Sequence, residues 1–355
     1  MKPKAIILTN GLLSYSDAKT AHGLIRGTDR FDIVGVIDAA HVQWDLSTIV
    51  GEKVPNIPVF PSISEAVAGV PGQIDYIIIG VATKGGNLPT DMKSILVESL
   101  NNNISVISGL HEFVSDIPEL ALLAEEKGLT ITDVRKPVDR SDLHFWTGEI
   151  FDVHCPIVAV IGMDVNMGKR TTAKILRDGC RKEGIKAEML FTGQTGWLQG
   201  GKYGFVLDTT VNDFVSGELE YWICKCYKES DPDVIFIEGQ ASLRNPSGPC
   251  GAEFLISGNA KNVVLVFSPV KEYFSNNPRW GKIPDVENEI TLIEMYGSDV
   301  IALVINTNGC TAEEALYWQK HYREKTGLPV LLPLEQGVEE LLPVITQLAE
   351  VAKNS

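Results

Sequence analysis

Gly162-Met163-Asp164-Val165-Asn166-Met167-Gly168-Lys169-Arg170-Thr171-Thr172 is the stretch of the chain richest in chemistry. It follows an apolar run and closes on Gly-Lys. In that order the N–H groups of a turn and the positive end of a new helix converge on an anion, and the lysine adds a full charge. The stretch therefore predicts a phosphate cradle, with Gly162, Asp164, Asn166, Gly168, Lys169, Arg170, Thr171 and Thr172 as the residues that bind the phosphorylated ligand. Five residues separate the two glycines where the usual pattern has four, and Arg170 stands where Ser or Thr would ligate magnesium. A guanidinium offers donors and no acceptor, so it grips phosphate but holds no metal. Thr171 or Thr172 could still supply a hydroxyl, which leaves two ligands open: a phosphorylated molecule handled without magnesium, and ATP with magnesium.

Downstream, Asp233–Gln240 reads as an apolar strand ending in a carboxylate, Glu238. In a doubly wound sheet the carboxyl ends of the strands face the ligand crevice, so Glu238 is expected near the phosphate loop. It could act there as general base or metal ligand, or merely cap the next turn. Thr192-Gly193-Gln194-Thr195-Gly196 is a small, polar segment at the same predicted edge and makes Gln194 a second catalytic candidate. His111, in Gly109-Leu110-His111-Glu112, follows a predicted strand end and is the third. No cluster reads as a metal site. The closest cysteine pair, Cys224 and Cys226, lies at i, i+2 on a predicted helix and reads as structural.

Two series of strands and helices must position these residues. Over the first half the strands are AIILTN, FDIVGVIDA, DYIIIGVA, ISVISG and LTITDV, with helices over SYSDAKTAHGLIRG, MKSILVESLNNN and PELALLAEEKG. A stretch rich in charge and turn residues, RKPVDRSDLHFWTGEIFDVHC (135–155), interrupts the alternation and marks a boundary near 145–155. A second series then begins at Pro156 with PIVAVIGMD and runs to a closing helix. The pattern predicts two doubly wound α/β domains, 1–148 and 149–355. The first strand-to-helix turn, Thr9–Ser16, holds a single glycine and no GxGxxG, so nothing there points to a nicotinamide cofactor.

The chain has 355 residues with 31 Lys plus Arg against 46 Asp plus Glu, and a net charge of −15 argues against nucleic-acid or anionic-membrane partners. The amino terminus lacks the apolar length of a signal peptide, no run is long enough to span a bilayer, and six scattered cysteines suit a reducing compartment. The expectation is a cytoplasmic protein that acts on a small molecule as a homo-oligomer.

AKTAHGLIRG (18–27), GVATKGG (80–86), SGLHEF (108–113), DVRKP (133–137), GMDVNMGKRTTA (162–173), TGQTG (192–196), the Asp213-Phe214 and Gly217-Glu218 pairs and EGQASL (238–243) together resemble a bacterial and archaeal family. That family was long labelled as a domain of unknown function and includes the D-glutamate N-acetyltransferases. The longer phosphate loop is similar to that of dethiobiotin synthetase. The resemblance implies a Rossmann-like N-terminal sheet, a P-loop NTPase-like C-terminal sheet, and acetyl transfer from acetyl-CoA to the amine of an acidic D-amino acid. Such a substrate needs cations and polar contacts, and Lys19, Lys84, Arg135, Gln240, Arg244 and Asn245 are the candidates. Two departures stand out. The family usually shows EGQGSL followed by His-Pro, where this chain has Ala241 and then Arg244-Asn245-Pro246; and it usually shows His-Glu-Pro where this chain has Ser268-Pro269-Val270-Lys271. The competing readings are an ATP/magnesium-dependent kinase or ligase, with Glu238 and Thr171 on the metal, and a nucleotide-binding regulator without turnover.

Overall fold

A computed structural model describes residues 2–51 and 54–353. The described residues form two parallel sheets, each in its own compact unit. The first has β1 (Lys4–Leu8), β2 (Asp32–Ile37), β3 (Val59–Phe60), β4 (Tyr76–Ile79), β5 (Ser105–Ser108) and β6 (Ile131–Asp133) in the order β3-β2-β1-β4-β5-β6. This is the Rossmann strand order, with the winding direction changing beside β1. The second has β7 (Ile157–Gly162), β8 (Ala187–Phe191), β9 (Tyr203–Gly204), β10 (Val234–Glu238), β11 (Asn262–Phe267), β12 (Asp299–Ile305) and β13 (Val330–Leu331) in the order β13-β12-β11-β7-β10-β8-β9. Helices cover both faces, which is why central strands such as β7 and β10 are continuous apolar runs without exposed residues.

The two doubly wound α/β sheets are those the sequence predicts. Beyond the predicted elements there are the two-residue strands β3 and β9 and short helices at Leu46–Val50, Ile63–Gly69, Gln194–Leu198, Ala252–Ile256 and Pro333–Gln336. None is long enough to display a periodicity.

The division between the units falls after Pro137, not at 148/149, and Gln194–Gly201 belongs with the first unit. Side chains explain both. Glu218 and Glu220, on helix Asn212–Ser230, hold the 144–150 segment to the second unit. Glu218 accepts from the His144 backbone N–H at 2.9 Å and its Nδ1 at 2.7 Å, while Glu220 accepts from the N–H groups of Thr147, Gly148 and Ile150. Within the first unit, Gln199 donates to the Gly23 carbonyl at 2.7 Å, Thr20 and Thr195 hydroxyls meet at 3.1 Å, and the Arg30 guanidinium lies 4.1 Å over the Trp197 ring. Cys224 and Cys226 are both buried on the same helix, and burial pushes their thiols up to about 11 and about 12. No helix among the described residues is long and apolar enough to cross a membrane.

Candidate active site

The Gly162–Gly168 loop leaves β7 and enters helix Lys169–Lys182. Its neighbours in the sheet are β10 and β11, so the loops after these strands lie beside it. The lysine is folded back onto the loop: Lys169 Nζ donates to the Asp164 carbonyl at 2.8 Å and to the Ala241 carbonyl at 2.7 Å. A Cβ at Gly162 would stand 3.0 Å from Lys169 Cδ, so glycine there makes room for that path. Thr172 is buried and starts the helix by donating its N–H to Gly168, Thr171 is half-buried, and Asn166 is exposed with a φ of 58°.

Asp164 is held by three groups from later parts of the chain. Its side chain has no exposed surface. Oδ1 accepts from Asn245 Nδ2 at 2.6 Å, and Oδ2 pairs with Lys271 Nζ at 2.6 Å and accepts from the Ser275 N–H at 2.7 Å. Burial alone would raise this carboxyl, but Lys271 and the Ser275 and Val165 amides outweigh it and hold it below the ordinary aspartate value. These bonds make Asp164 an anchor that holds the loop to Asn245, Lys271 and Ser275. Asn245, a substrate-binding candidate, has no exposed surface, and its amide donates to Asp164. Lys271 also donates to the Val165 carbonyl, and Asn306, just past β12, donates to the Met167 carbonyl at 2.9 Å. Sequence reasoning missed Lys271, Ser275 and Asn306 as loop braces. The available signal was position, because Lys271 and Asn306 follow apolar strands at the edge where the loop lies.

Glu238 ends β10, is 5% exposed, and accepts from the Thr192 N–H at 3.2 Å. Burial pushes its carboxyl above the ordinary glutamate value, against the opposing pull of Arg170, Lys169 and the Thr192 and Gly193 amides. The structure therefore brings Glu238 within the field of the phosphate-loop cations. Gln240 belongs to the same cluster and donates to the Thr192 hydroxyl at 3.1 Å, which in turn donates to the Glu238 carbonyl at 2.6 Å. Gly239 between them is obligatory, since a Cβ would lie 2.2 Å from the Val160 carbonyl oxygen. Arg244 is half-buried and paired with Glu289 at 2.5 Å.

Ala241, whose carbonyl holds Lys169, has a φ of 32°, a left-handed conformation that costs an L-residue about 1–2 kcal/mol. Glycine is the residue that relieves it. Ala241→Gly is expected to raise stability by about 0.5–1 kcal/mol, the relieved strain less the added chain entropy. Urea denaturation measures this, and a fall in the unfolding midpoint would contradict it.

The remaining candidates lie in the first unit. His111 is exposed, and its N–H donates to the Gly86 carbonyl, which joins the 80–86 and 108–113 loops. Arg135 is buried and donates from Nε to the Gly109 carbonyl at 2.8 Å, bracing the same loop. Gln194 packs beside Gly109, whose Cβ would stand 3.0 Å from its Cγ. Lys19 is exposed at the start of helix Lys19–Arg26, and the Lys84 side chain lies outside the described residues. At the end of β2, where a dinucleotide-binding sheet offers a carboxylate to a ribose, Asp38 has no exposed surface and accepts from Thr9 Oγ1 and the Gly11 and Leu13 N–H groups of the first loop.

Residues 144–342 match a family described as a domain of unknown function, DUF1611_C, P-loop domain, and residues 40–137 match DUF1611_N, Rossmann-like domain. A D-glutamate N-acetyltransferase from Tritonibacter scottomollicae is 29% identical over 277 residues, covering 76% of this chain and 80% of its own. A protein of the same name from a Pseudoalteromonas species is 25% identical over 271 residues, covering 75% and 79%. The crystal structure of a DUF1611 family protein from Anabaena variabilis superposes with a TM-score of 0.88 at 28% identity, covering 98% of this chain and all of that one. With its Rossmann-like first sheet, its phosphate loop after β7 and matches that span most of its length, the chain belongs to the DUF1611 family.

Proposed function

We propose that this chain transfers an acetyl group from acetyl-CoA to the amine of an acidic amino acid, with D-glutamate the leading acceptor. Making an amide from a thioester requires a deprotonated amine and stabilisation of the developing oxyanion. Acetyl-CoA, when bound, supplies the activated acyl group. Its phosphates suit the N–H groups of the Gly162–Gly168 loop, the positive end of helix Lys169–Lys182 and the cations Lys169 and Arg170, none of which needs a metal.

The observation that carries the reading is the buried Glu238 carboxyl beside those cations, with a raised proton affinity. A raised carboxyl pKa brings the group nearer to neutral pH and makes it a stronger base toward an ammonium ion. Glu238 is therefore the general base of this reading. Arg244, steadied by Glu289, is the cation of this unit for a substrate carboxylate. The two relatives named D-glutamate N-acetyltransferase support the acceptor class.

Lys169→Ala is expected to weaken CoA binding by at least ~1.5 kcal/mol, roughly tenfold, the scale of a charge-assisted hydrogen bond. Titration calorimetry with CoA and acetyl-CoA tests this, and unchanged affinity would contradict the assignment of the loop.

A further inference from the structure

The first unit contains a second arrangement of reactive side chains that the phosphate-loop site does not use. Ser14 lies in the loop after β1, Asp38 ends the β2 segment and His41 follows it. His41 Nδ1 is 2.7 Å from Asp38 Oδ1, and His41 Nε2 is 3.0 Å from Ser14 Oγ. The exposures are graded: Asp38 is 0% exposed, His41 is 5% exposed, and Ser14 is open to solvent.

The bonds around Asp38 set the direction of this relay. Oδ2 accepts from Thr9 Oγ1 at 2.7 Å and from the Gly11 and Leu13 N–H groups at 3.0 and 3.2 Å. Oδ1 accepts from the Ala40 N–H at 3.1 Å and faces the imidazole. A carboxylate surrounded by donors is an acceptor only, so it takes the Nδ1 proton of His41 and leaves the Nε2 lone pair toward the Ser14 hydroxyl. The Trp44 ring packs against the imidazole, with the ring centroids 4.7 Å apart and the planes 77° apart. Anchoring the first loop needs only Oδ2, so the histidine and serine are additional to that structural task. All three residues stand past the carboxyl ends of β1 and β2, the side on which open parallel sheets bind ligands.

We propose that Ser14 is an activated nucleophile that accepts an acyl group from an ester or thioester, with His41 as its general base and Asp38 as the positioning residue that fixes the tautomer. Nucleophile, base and orienting carboxylate are recognised by geometry and role rather than by sequence position. Ser14 Oγ attacks the acyl carbon while His41 Nε2 takes its proton. The bond from the acyl carbon to the leaving oxygen or sulfur breaks, and His41 returns the proton to that atom, releasing an alcohol or a thiol. Water then attacks the acyl-serine by the same route, giving the carboxylic acid and free Ser14. This activity goes beyond the N-acetyl transfer proposed above and involves none of its residues.

The test treats the full chain with a fluorophosphonate probe and maps the adduct by peptide mass spectrometry. Ser14 is expected to be labelled in preference to every other serine, Ser14→Ala to abolish the adduct, and His41→Gln to slow its formation at least about a hundredfold. Spectra of the chain with nitrogen-15-labelled histidine read the tautomer independently. His41 is expected to carry its proton on Nδ1, and Asp38→Asn both to remove that preference and to slow Ser14 labelling in a chain that still melts cooperatively, a loss of reactivity that a purely structural role for Asp38 would not produce. Absence of a Ser14 adduct, labelling that proceeds equally in His41→Gln, or a His41 protonated on Nε2 in the unmodified chain would each overturn the proposal.

Discussion

Glu238→Gln is expected to lower turnover by about a hundredfold to ten-thousandfold, the usual worth of a positioned general base, while CoA affinity stays near that of the unmodified chain. The same substitution has a signature in stability. Burial raises the Glu238 carboxyl, so the folded protein holds that proton more tightly than the unfolded chain does. Stability from this group is therefore fully present at low pH and is lost as pH rises through the folded value. A neutral glutamine removes that cost. The variant is expected to melt no lower than the unmodified chain at neutral pH and to gain on it as pH rises. Thermal midpoints at two pH values, read beside turnover, separate a catalytic carboxyl that strains the fold from a structural one whose loss weakens it. Full activity in the variant would remove Glu238 from the mechanism.

Asp164→Ala is expected to cost about 3–5 kcal/mol in urea denaturation, because it breaks a buried ion pair and leaves the other charge behind. Lys271, whose side chain is only 13% exposed, loses its partner, and the Asn245 amide and Ser275 N–H lose their acceptor. The pH dependence is opposite to that of Glu238. The Asp164 carboxyl is held below its ordinary value, so its contribution is fully present above the unfolded value and is lost as pH falls through the folded one. In acid, the difference between Asp164→Ala and the unmodified chain should shrink. A variant with unchanged stability would show that the loop holds itself without this anchor.

How far the sequence carries is clearest at the phosphate loop. A buried strand, a glycine-bounded turn and Gly-Lys opening a helix are local features, and the structure has them where the residues predict. The two parallel sheets were legible for a related reason: long apolar runs separated by amphipathic helices leave few other ways to pair. The direction of each loop side chain was not legible. Asp164 and Asn166 are two positions apart in one turn, yet one has no exposed surface and the other is exposed, since the former faces Asn245, Lys271 and Ser275 from distant parts of the chain. Arg135 reads in the sequence as a substrate cation, and nothing local there shows that its Nε donates to the Gly109 carbonyl. The Ser14, His41 and Asp38 relay carries no motif, since its outer members are 27 residues apart and meet only when β1 and β2 pair. The unit boundary was displaced for the same reason: Glu218 and Glu220 capture a polar segment whose composition alone reads as a linker.

Thiol release is the most direct measure of the proposed transfer. Full-length protein should be supplied with acetyl-CoA and a panel of D- and L-amino acids while free CoA is followed, with ADP and phosphate release from ATP and magnesium measured in parallel. Release of CoA that depends on an acidic amino acid, with D-glutamate favoured and the N-acetylated product recovered in equal amount, is the predicted result. ATP turnover or phosphoryl transfer to a small molecule, with no CoA released under any acceptor, would contradict it.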